Sequence, residues 1–202
     1  MKSCLVIGKP NAGKTAFVLA FAAHVGLTSI SVRAIAPDGA VVTRTLALAD
    51  AGRDLVAPSP HKTTCLQSLE IALPVGKTRQ TCELLDSTGL SERIHESDAV
   101  RRGMAQTLRS LRGAAVVLHL IDASRADRAG AVEALTDLDR EIAAYAGGRT
   151  AYAILASKMD LPGAGRGLQL IRQTFPRQRV IPISAVKGWG MKEVRAFVVR
   201  AI

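Results

Sequence analysis

The segment Gly8-Lys9-Pro10-Asn11-Ala12-Gly13-Lys14-Thr15 constrains this chain more than any other. It completes the pattern G-x-x-x-x-G-K-[ST] and follows Ser3-Cys4-Leu5-Val6-Ile7, an apolar run that reads as a buried strand. From Thr15 to about Val25, the residues Phe17, Val18, Phe21 and Ala22 supply one apolar face, which predicts a helix. Strand, glycine-bounded turn and helix N-terminus make a phosphate cradle, because the glycines let the backbone wrap closely and aim its N–H groups inward. In such a cradle Lys14 neutralises charge on the β- and γ-phosphates and the Thr15 hydroxyl reaches Mg²⁺. Gly8, Lys9, Pro10, Asn11, Ala12 and Gly13 form the loop expected against the nucleotide.

Further strands are expected at Ser29–Ala36, Leu66–Leu73, Thr81–Leu85, Ala114–Ile121, Ala151–Ala156 and Val180–Ile183. Helices are expected at Thr43–Val56, Ala129–Ala146, Gly167–Thr174 and Lys192–Ala201. Ser91–Leu111 reads as a long basic helix or a loop running into one, and Pro74-Val75-Gly76-Lys77 as a hairpin connection. Strands alternating with helices predict a three-layer α/β fold, a mostly parallel six-stranded sheet covered on both faces. Aromatics are only 3% of the chain, so the core is aliphatic, as suits buried parallel strands. Residues 1–202 are read as one domain, with an extended segment at about 26–60.

Two more motifs follow strands, where ligands bind in such folds. Leu84-Leu85-Asp86-Ser87-Thr88-Gly89 ends a strand with an Asp suited to hold Mg²⁺ and a Gly whose N–H can approach a γ-phosphate. Ser157-Lys158-Met159-Asp160 follows another strand, and Asp160 can accept the paired donors of guanine, which adenine lacks. Ser184-Ala185 lies after the next strand, where a backbone N–H can meet the base. Each of these segments standing alone would be an ordinary turn or surface loop.

The order of these motifs resembles the Ras-like P-loop GTPase domain, in particular the translation-factor-related branch that includes the Era-like and FeoB-like GTPases. The likeness runs from Lys2 to the closing helix, apart from the segment after the first helix. Pro10-Asn11-Ala12-Gly13-Lys14 is the wording that branch favours, Asp86-Ser87-Thr88-Gly89 matches its D-x-x-G and Ile183-Ser184-Ala185 its S-A motif. Pro60-His61-Lys62-Thr63-Thr64 resembles its first switch. The resemblance implies a Mg²⁺-dependent GTPase that cycles between GTP and GDP. It places Lys14, Thr64 and Gly89 in catalytic roles and Thr15, Thr64 and Asp86 around Mg²⁺. Asn11 either holds a potassium ion together with the first switch or simply favours the turn.

Three departures from the pattern stand out. Ser157 replaces the usual Asn or Thr of the guanine motif. Leu90 stands where Ras proteins carry a water-orienting Gln, which implies slow intrinsic hydrolysis. Lys14 and Thr64 are 50 positions apart, a wide spacing for a small G domain. The Leu90 position also fits a second function, a nucleotide-dependent scaffold with negligible hydrolysis. An ATP-using enzyme is disfavoured by Ser157–Asp160.

Lys and Arg number 27 against 17 acidic residues, a net charge of +10. That balance fits RNA, a ribosome or an anionic membrane surface as partner, and equally a solvated basic surface. Arg93, Arg101, Arg102, Arg109 and Arg112 follow the D-x-x-G motif and read as either. An effector and a nucleotide-dependent dimer are further partner expectations. Cys4, Cys65 and Cys82 show no metal-ligand spacing, and His24, His61, His95 and His119 none either; His119 sits in an apolar strand and reads as structural. The N-terminus has no signal-peptide layout, and no apolar run approaches the roughly 20 residues of a membrane span. A cytoplasmic protein is expected.

Overall fold

The computed structural model describes residues 1–36, 39–55, 66–75, 77–90, 98–131, 133–148 and 150–202. Thr64, with His61, Cys65, Arg93 and His95, lies outside them.

The order of elements is β1 (Lys2–Gly8), α1 (Lys14–His24), β2 (Ser29–Ile35), β3 (Val41–Ala47), α2 (Leu48–Leu55), β4 (Leu66–Val75), β5 (Thr78–Asp86), α3 (Asp98–Gly113), β6 (Val116–Asp122), α4 (Asp137–Ala146), β7 (Ala151–Ser157), α5 (Ala164–Thr174), β8 (Arg179–Pro182) and α6 (Met191–Ala201). All strands join one sheet in the order β3-β2-β4-β5-β1-β6-β7-β8. Among the described residues the sheet therefore has eight strands, not the six expected. β5, β1, β6, β7 and β8 run parallel. β4 pairs antiparallel with β5 through the expected hairpin, whose last pair is Val75↔Thr78.

β2 answers to the strand expected at Ser29–Ala36, and the strand not anticipated, β3, follows it in the segment after α1. Thr43–Val56 is not one helix: Val41–Ala47 is a strand paired antiparallel with β2, from Ser29↔Ala47 to Ile35↔Val41. Four β-branched residues in that strand (Val41, Val42, Thr43 and Thr45) resist helical χ1 crowding and suit a pleated edge. Only Leu48–Leu55 is helical. Its Ala51 packs with Leu19 and Ala22 of α1 and Ile30 and Val32 of β2, so the hairpin is held to the sheet edge by a small apolar cluster.

The long helix expected at Ala129–Ala146 is also shorter, beginning at Asp137. Thr136 and Asp139 form a capping box, which satisfies backbone N–H groups that the first turn leaves open. The chain before it is a loop with Gly130 at φ +83.

Two apolar layers cover the central strands. On one face Phe17 and Phe21 of α1 stack at 5.7 Å and join Val6, Leu84, Leu118, Leu155 and, from α6, Met191, Val194 and Val198. On the other, Leu5, Ile7, Val117 and Ile154 meet Leu111 of α3, Ile142 of α4 and Ile171 of α5. Each such side chain contributes about 2–3 kcal/mol by burial, which is why β1, β6 and β7 are almost continuously apolar. No helix among the described residues is long and apolar enough to cross a membrane.

Candidate functional site

The carboxyl ends of β1, β5, β6, β7 and β8 carry the motifs, so the parallel pairing itself gathers them. β1 delivers the phosphate loop. Gly8 has φ +150, and a Cβ there would stand 2.4 Å from the Leu120 carbonyl oxygen of β6. Only glycine fits that contact. Gly13, in the left-handed region, starts α1. Lys14 is buried and donates from Nζ to the Lys9 carbonyl at 2.8 Å.

β5 places Asp86 beside this loop, opposite Val6 in register. The Thr15 hydroxyl donates to Asp86 Oδ2 at 2.6 Å, while Asp86 Oδ1 is buried with no hydrogen-bond partner among the described residues. A hydroxyl and a carboxylate with a free oxygen are hard donors of the kind Mg²⁺ takes, so the residues fit that ion. Burial pushes the Asp86 carboxyl up to about 6, against the opposing Thr15 hydrogen bond and Lys14 charge. Burial likewise brings Lys14 down to about 8, opposed by Asp86.

Gly89 lies directly on the phosphate loop: a Cβ would meet Pro10 N at 2.7 Å and Cα at 2.8 Å. The next N–H, of Leu90, donates to the Gly8 carbonyl at 3.1 Å. The Leu90 side chain is buried in the α3–α5 face of the core, so its hydrophobic character serves packing. Asn11 adopts φ +61 and its amide donates to Glu133 Oε1 at 3.4 Å. That left-handed turn is one which Asn tolerates well.

Ser157 and Asp160 are held by separate braces. The Ser157 hydroxyl lies 2.8 Å from the Ala12 carbonyl, which accepts its hydrogen, with the Ile121 carbonyl at 3.2 Å. It thus ties β7 to the phosphate loop despite its departure from the usual residue. Lys158, at φ +58, places Nζ 2.7 Å from Asp122 Oδ2. The Ser184 hydroxyl donates to Asp160 Oδ1 at 2.6 Å and accepts from the Lys187 N–H at 3.1 Å. Ala185 follows on the same loop.

Two features were missed in the sequence. Asp122, at the end of β6 opposite Ser157 in register, anchors Lys158; the run Leu120-Ile121-Asp122 repeats the strand-then-Asp signal read at Asp86. The other is the direction of the Lys9 side chain. The Lys9 side chain turns away from the front of the loop, donating to the Ala134 carbonyl and the Thr136 hydroxyl and pairing with Asp139 Oδ2 at 2.9 Å. Only its backbone faces Lys14.

Asp139 Oδ1 also lies 3.2 Å from His119 Nε2, an ion-pair distance without hydrogen-bond alignment. His119 Nδ1 sits 2.8 Å from the Tyr152 hydroxyl. Burial disfavours the Asp139 carboxylate, yet His119, Lys9 and the Thr136 N–H outweigh it and hold the group below its usual range. A depressed carboxyl stabilises the fold above its unfolded pKa and loses that contribution as pH falls through the acid range. Lys9→Met leaves one side of this buried pair empty. We expect a cost of about 3 kcal/mol, read as a melting temperature lower by about 6–12 °C.

On α3, Arg101, Arg102, Arg109 and Arg112 are exposed, and Arg101 pairs with Asp98. Cys4 and Cys82 are free and buried.

A family profile described as 50S ribosome-binding GTPase matches residues 3–158. GTPase Obg of Akkermansia muciniphila is 31% identical over 117 residues, 56% of this chain and 32% of its own. The chain spans about a third of the length of such curated relatives. Among solved structures, Era in complex with MgGDPNP and nucleotides 1506–1542 of 16S ribosomal RNA superposes with a TM-score of 0.67 at 20% identity, over 99% of this chain and 56% of that one. The cytosolic domain of L. pneumophila FeoB gives 0.59 at 16%, over 99% and 68%. At such identities the likeness is one of fold. The profile, matching most of the chain through the phosphate loop, Asp86–Gly89 and the first half of the guanine motif, establishes that this protein belongs to the 50S ribosome-binding GTPase family.

Proposed function

We propose that the protein is a Mg²⁺-dependent switch that binds GTP, hydrolyses it to GDP and signals the difference to a partner. The observation that carries this reading is the meeting of Thr15 and Asp86 at 2.6 Å beneath a complete phosphate loop, with one Asp86 oxygen unpartnered among the described residues. Mg²⁺ there supplies charge stabilisation for the leaving phosphate oxygens. Lys14 adds a second positive charge at the phosphates, and Gly89 reports on the γ-phosphate from its place against Pro10. Thr64 is our choice for the Mg²⁺ ligand of the first switch. Lys158 and Asp160 select guanine, with Ser184 orienting Asp160 and Ala185 offering its N–H. We take residues 1–202 as one G domain in which β2, β3 and α2 are an edge elaboration, and place the protein in the cytoplasm. Its net charge of +10 and the RNA complex of the Era relative support an RNA-bearing partner such as the ribosome.

Single-turnover hydrolysis of GTP with Mg²⁺ or EDTA tests the reading: Mg²⁺-dependent product with wild type and none with Asp86→Asn is expected. Binding without turnover would favour the scaffold reading. Repeating the assay in K⁺ and Na⁺ at matched ionic strength examines Asn11, and equal rates would reject a potassium role.

The Asp86 carboxyl adds a pH test. Its folded pKa is raised to about 6 by burial, so below that pH the carboxyl holds a proton with which a Mg²⁺ ion held by Thr15 and Asp86 would compete. The Mg²⁺-dependent part of nucleotide affinity is expected to fall about tenfold per pH unit below about 6. Asp86→Asn should lack that step. A wild-type profile superimposable on the variant's would reject the assignment.

A further inference from the structure

We infer that the sheet edge formed by β8 with α5 and α6 is a binding surface for unpaired RNA, gripping phosphates with arginines and stacking a base on Trp189. The inference rests on the switch reading with an RNA-bearing partner, and it says where on the molecule that partner sits.

The charge of this chain is unevenly spread. From residue 161 onward there are eight Lys or Arg residues and one acidic residue, Glu193, so this last fifth of the chain carries +7 of the net +10. Six of those cations, Arg172, Arg177, Arg179, Lys187, Lys192 and Arg200, are exposed and make no ion pair among the described residues. The arginines of α3 followed the D-x-x-G motif and drew attention in the sequence; the larger excess of charge lies elsewhere.

Topology turns this stretch into one surface. Among the described residues β8 ends the sheet, bonded to β7 alone. α5 buries Ala164 and Ile171 on one sheet face, and α6 buries Met191, Val194 and Val198 on the other. The two helices therefore present their basic outer sides on opposite faces of the sheet, α6 running on to the start of β1, where Lys2 Nζ donates to the Ile202 carbonyl at 2.7 Å. Arg179 of β8 lies 5.8 Å from the Phe197 ring centroid of α6, which joins strand and helix across that edge. At its other end the loop from Ser184 to Gly190 exposes Trp189, the sole tryptophan, at 54% and Val186 at 81%. This loop is rigidly built: the Ser184 N–H donates to the Trp189 carbonyl at 3.2 Å, and the Ser184 hydroxyl braces Asp160. The surface thus begins at the loop that holds the guanine-selecting carboxylate.

The chemistry favours nucleic acid over a bilayer. Arginine outnumbers lysine three to one in this stretch, and its planar fork matches phosphate in a way an ammonium does not. Both helices have already spent their apolar faces on the core, so neither has one to lay into lipid. One exposed indole among cations suits sequence-tolerant stacking of an unpaired base, in keeping with an aromatic content too low for base-by-base reading.

The test uses the full chain and an unstructured pyrimidine RNA of about 20 nucleotides. Fluorescence anisotropy at several salt concentrations gives affinity and salt slope, and the emission of Trp189 reports stacking directly. For the triple variant Arg172→Gln/Arg177→Gln/Arg179→Gln we expect affinity lower by about tenfold or more and a salt slope smaller by about 2, with GTP affinity and melting temperature kept as checks of folding. The corresponding triple Lys variant should retain most of the binding. RNA should quench Trp189 in the wild type. RNA binding unchanged in the Gln variant, or wild-type binding with no change in Trp189 emission, would overturn this surface while leaving an RNA partner in place. A wild type that binds GTP but no RNA would overturn the RNA partner itself, as would binding to phosphatidylserine vesicles alone. In both cases nucleotide switching would stand.

Discussion

Asp160→Asn is expected to weaken GTP binding by about a thousandfold, equivalent to roughly 4 kcal/mol, and to give the protein affinity for xanthosine triphosphate. The proposed role of Asp160 is to accept two N–H groups of guanine with one carboxylate. An amide keeps one acceptor but sets its NH₂ donor against a donor of the base, leaving both unpaired in a closed site. Xanthine carries a carbonyl where guanine has its amine, and so meets the Asn donor correctly. The brace gives a graded companion. Ser184→Ala removes the 2.6 Å bond that orients Asp160 and should weaken GTP by about tenfold, the worth of one charge-assisted hydrogen bond. Fluorescent-nucleotide titration measures both. An Asp160→Asn protein that binds GTP as well as wild type would place the base elsewhere.

Gly89→Ala is expected to lower single-turnover hydrolysis by about a hundredfold while leaving the fold intact. The added methyl would lie 2.7 Å from Pro10 N and 2.8 Å from Pro10 Cα, backbone atoms that have no rotamer to escape into. Either the phosphate loop or the D-x-x-G turn must move by a substantial fraction of an ångström. The loop is held by Ser157 on Ala12 and by the buried Lys9–Asp139 pair, so the turn is the part that yields. Its displacement carries Asp86 and the Gly89 N–H away from the phosphates. GDP contacts the loop without needing Gly89 and should bind with little change. Equal losses of GDP and GTP affinity would mean that the loop gave way instead.

The sequence disclosed most of what a local pattern can carry. Gly8, Gly13, Lys14 and Thr15 announce a phosphate loop because backbone approach and helix start need those residues at that spacing, and the apolar runs of β1, β6 and β7 announce strands buried on both faces. Thr43–Val56 is not legible as strand and then helix from its own residues, because its β-branched first half becomes a strand only with β2 beside it, and edge pairing is not a local property. Ala129–Ala146 was overextended although Thr136 and Asp139 stood in capping-box order, a signal that was there to be read.

What the tertiary structure alone decided is where side chains of distant segments meet. That the Lys9 side chain pairs with Asp139 follows from Ala134, Thr136 and Asp139 lying behind the cradle, 125 residues and more away along the chain. That Ser157 ties β7 to the phosphate loop depends on the Ala12 carbonyl lying 2.8 Å from its hydroxyl. That the +7 carried by the last fifth of the chain is spread on both sides of the sheet depends on α5 and α6 taking its opposite faces. Residue type and spacing determine what a segment of chain can do with its own backbone, and hence the phosphate loop. Long-range packing determines which groups share a buried space, and only there do desolvation and pairing give a lysine, a serine or an arginine its part.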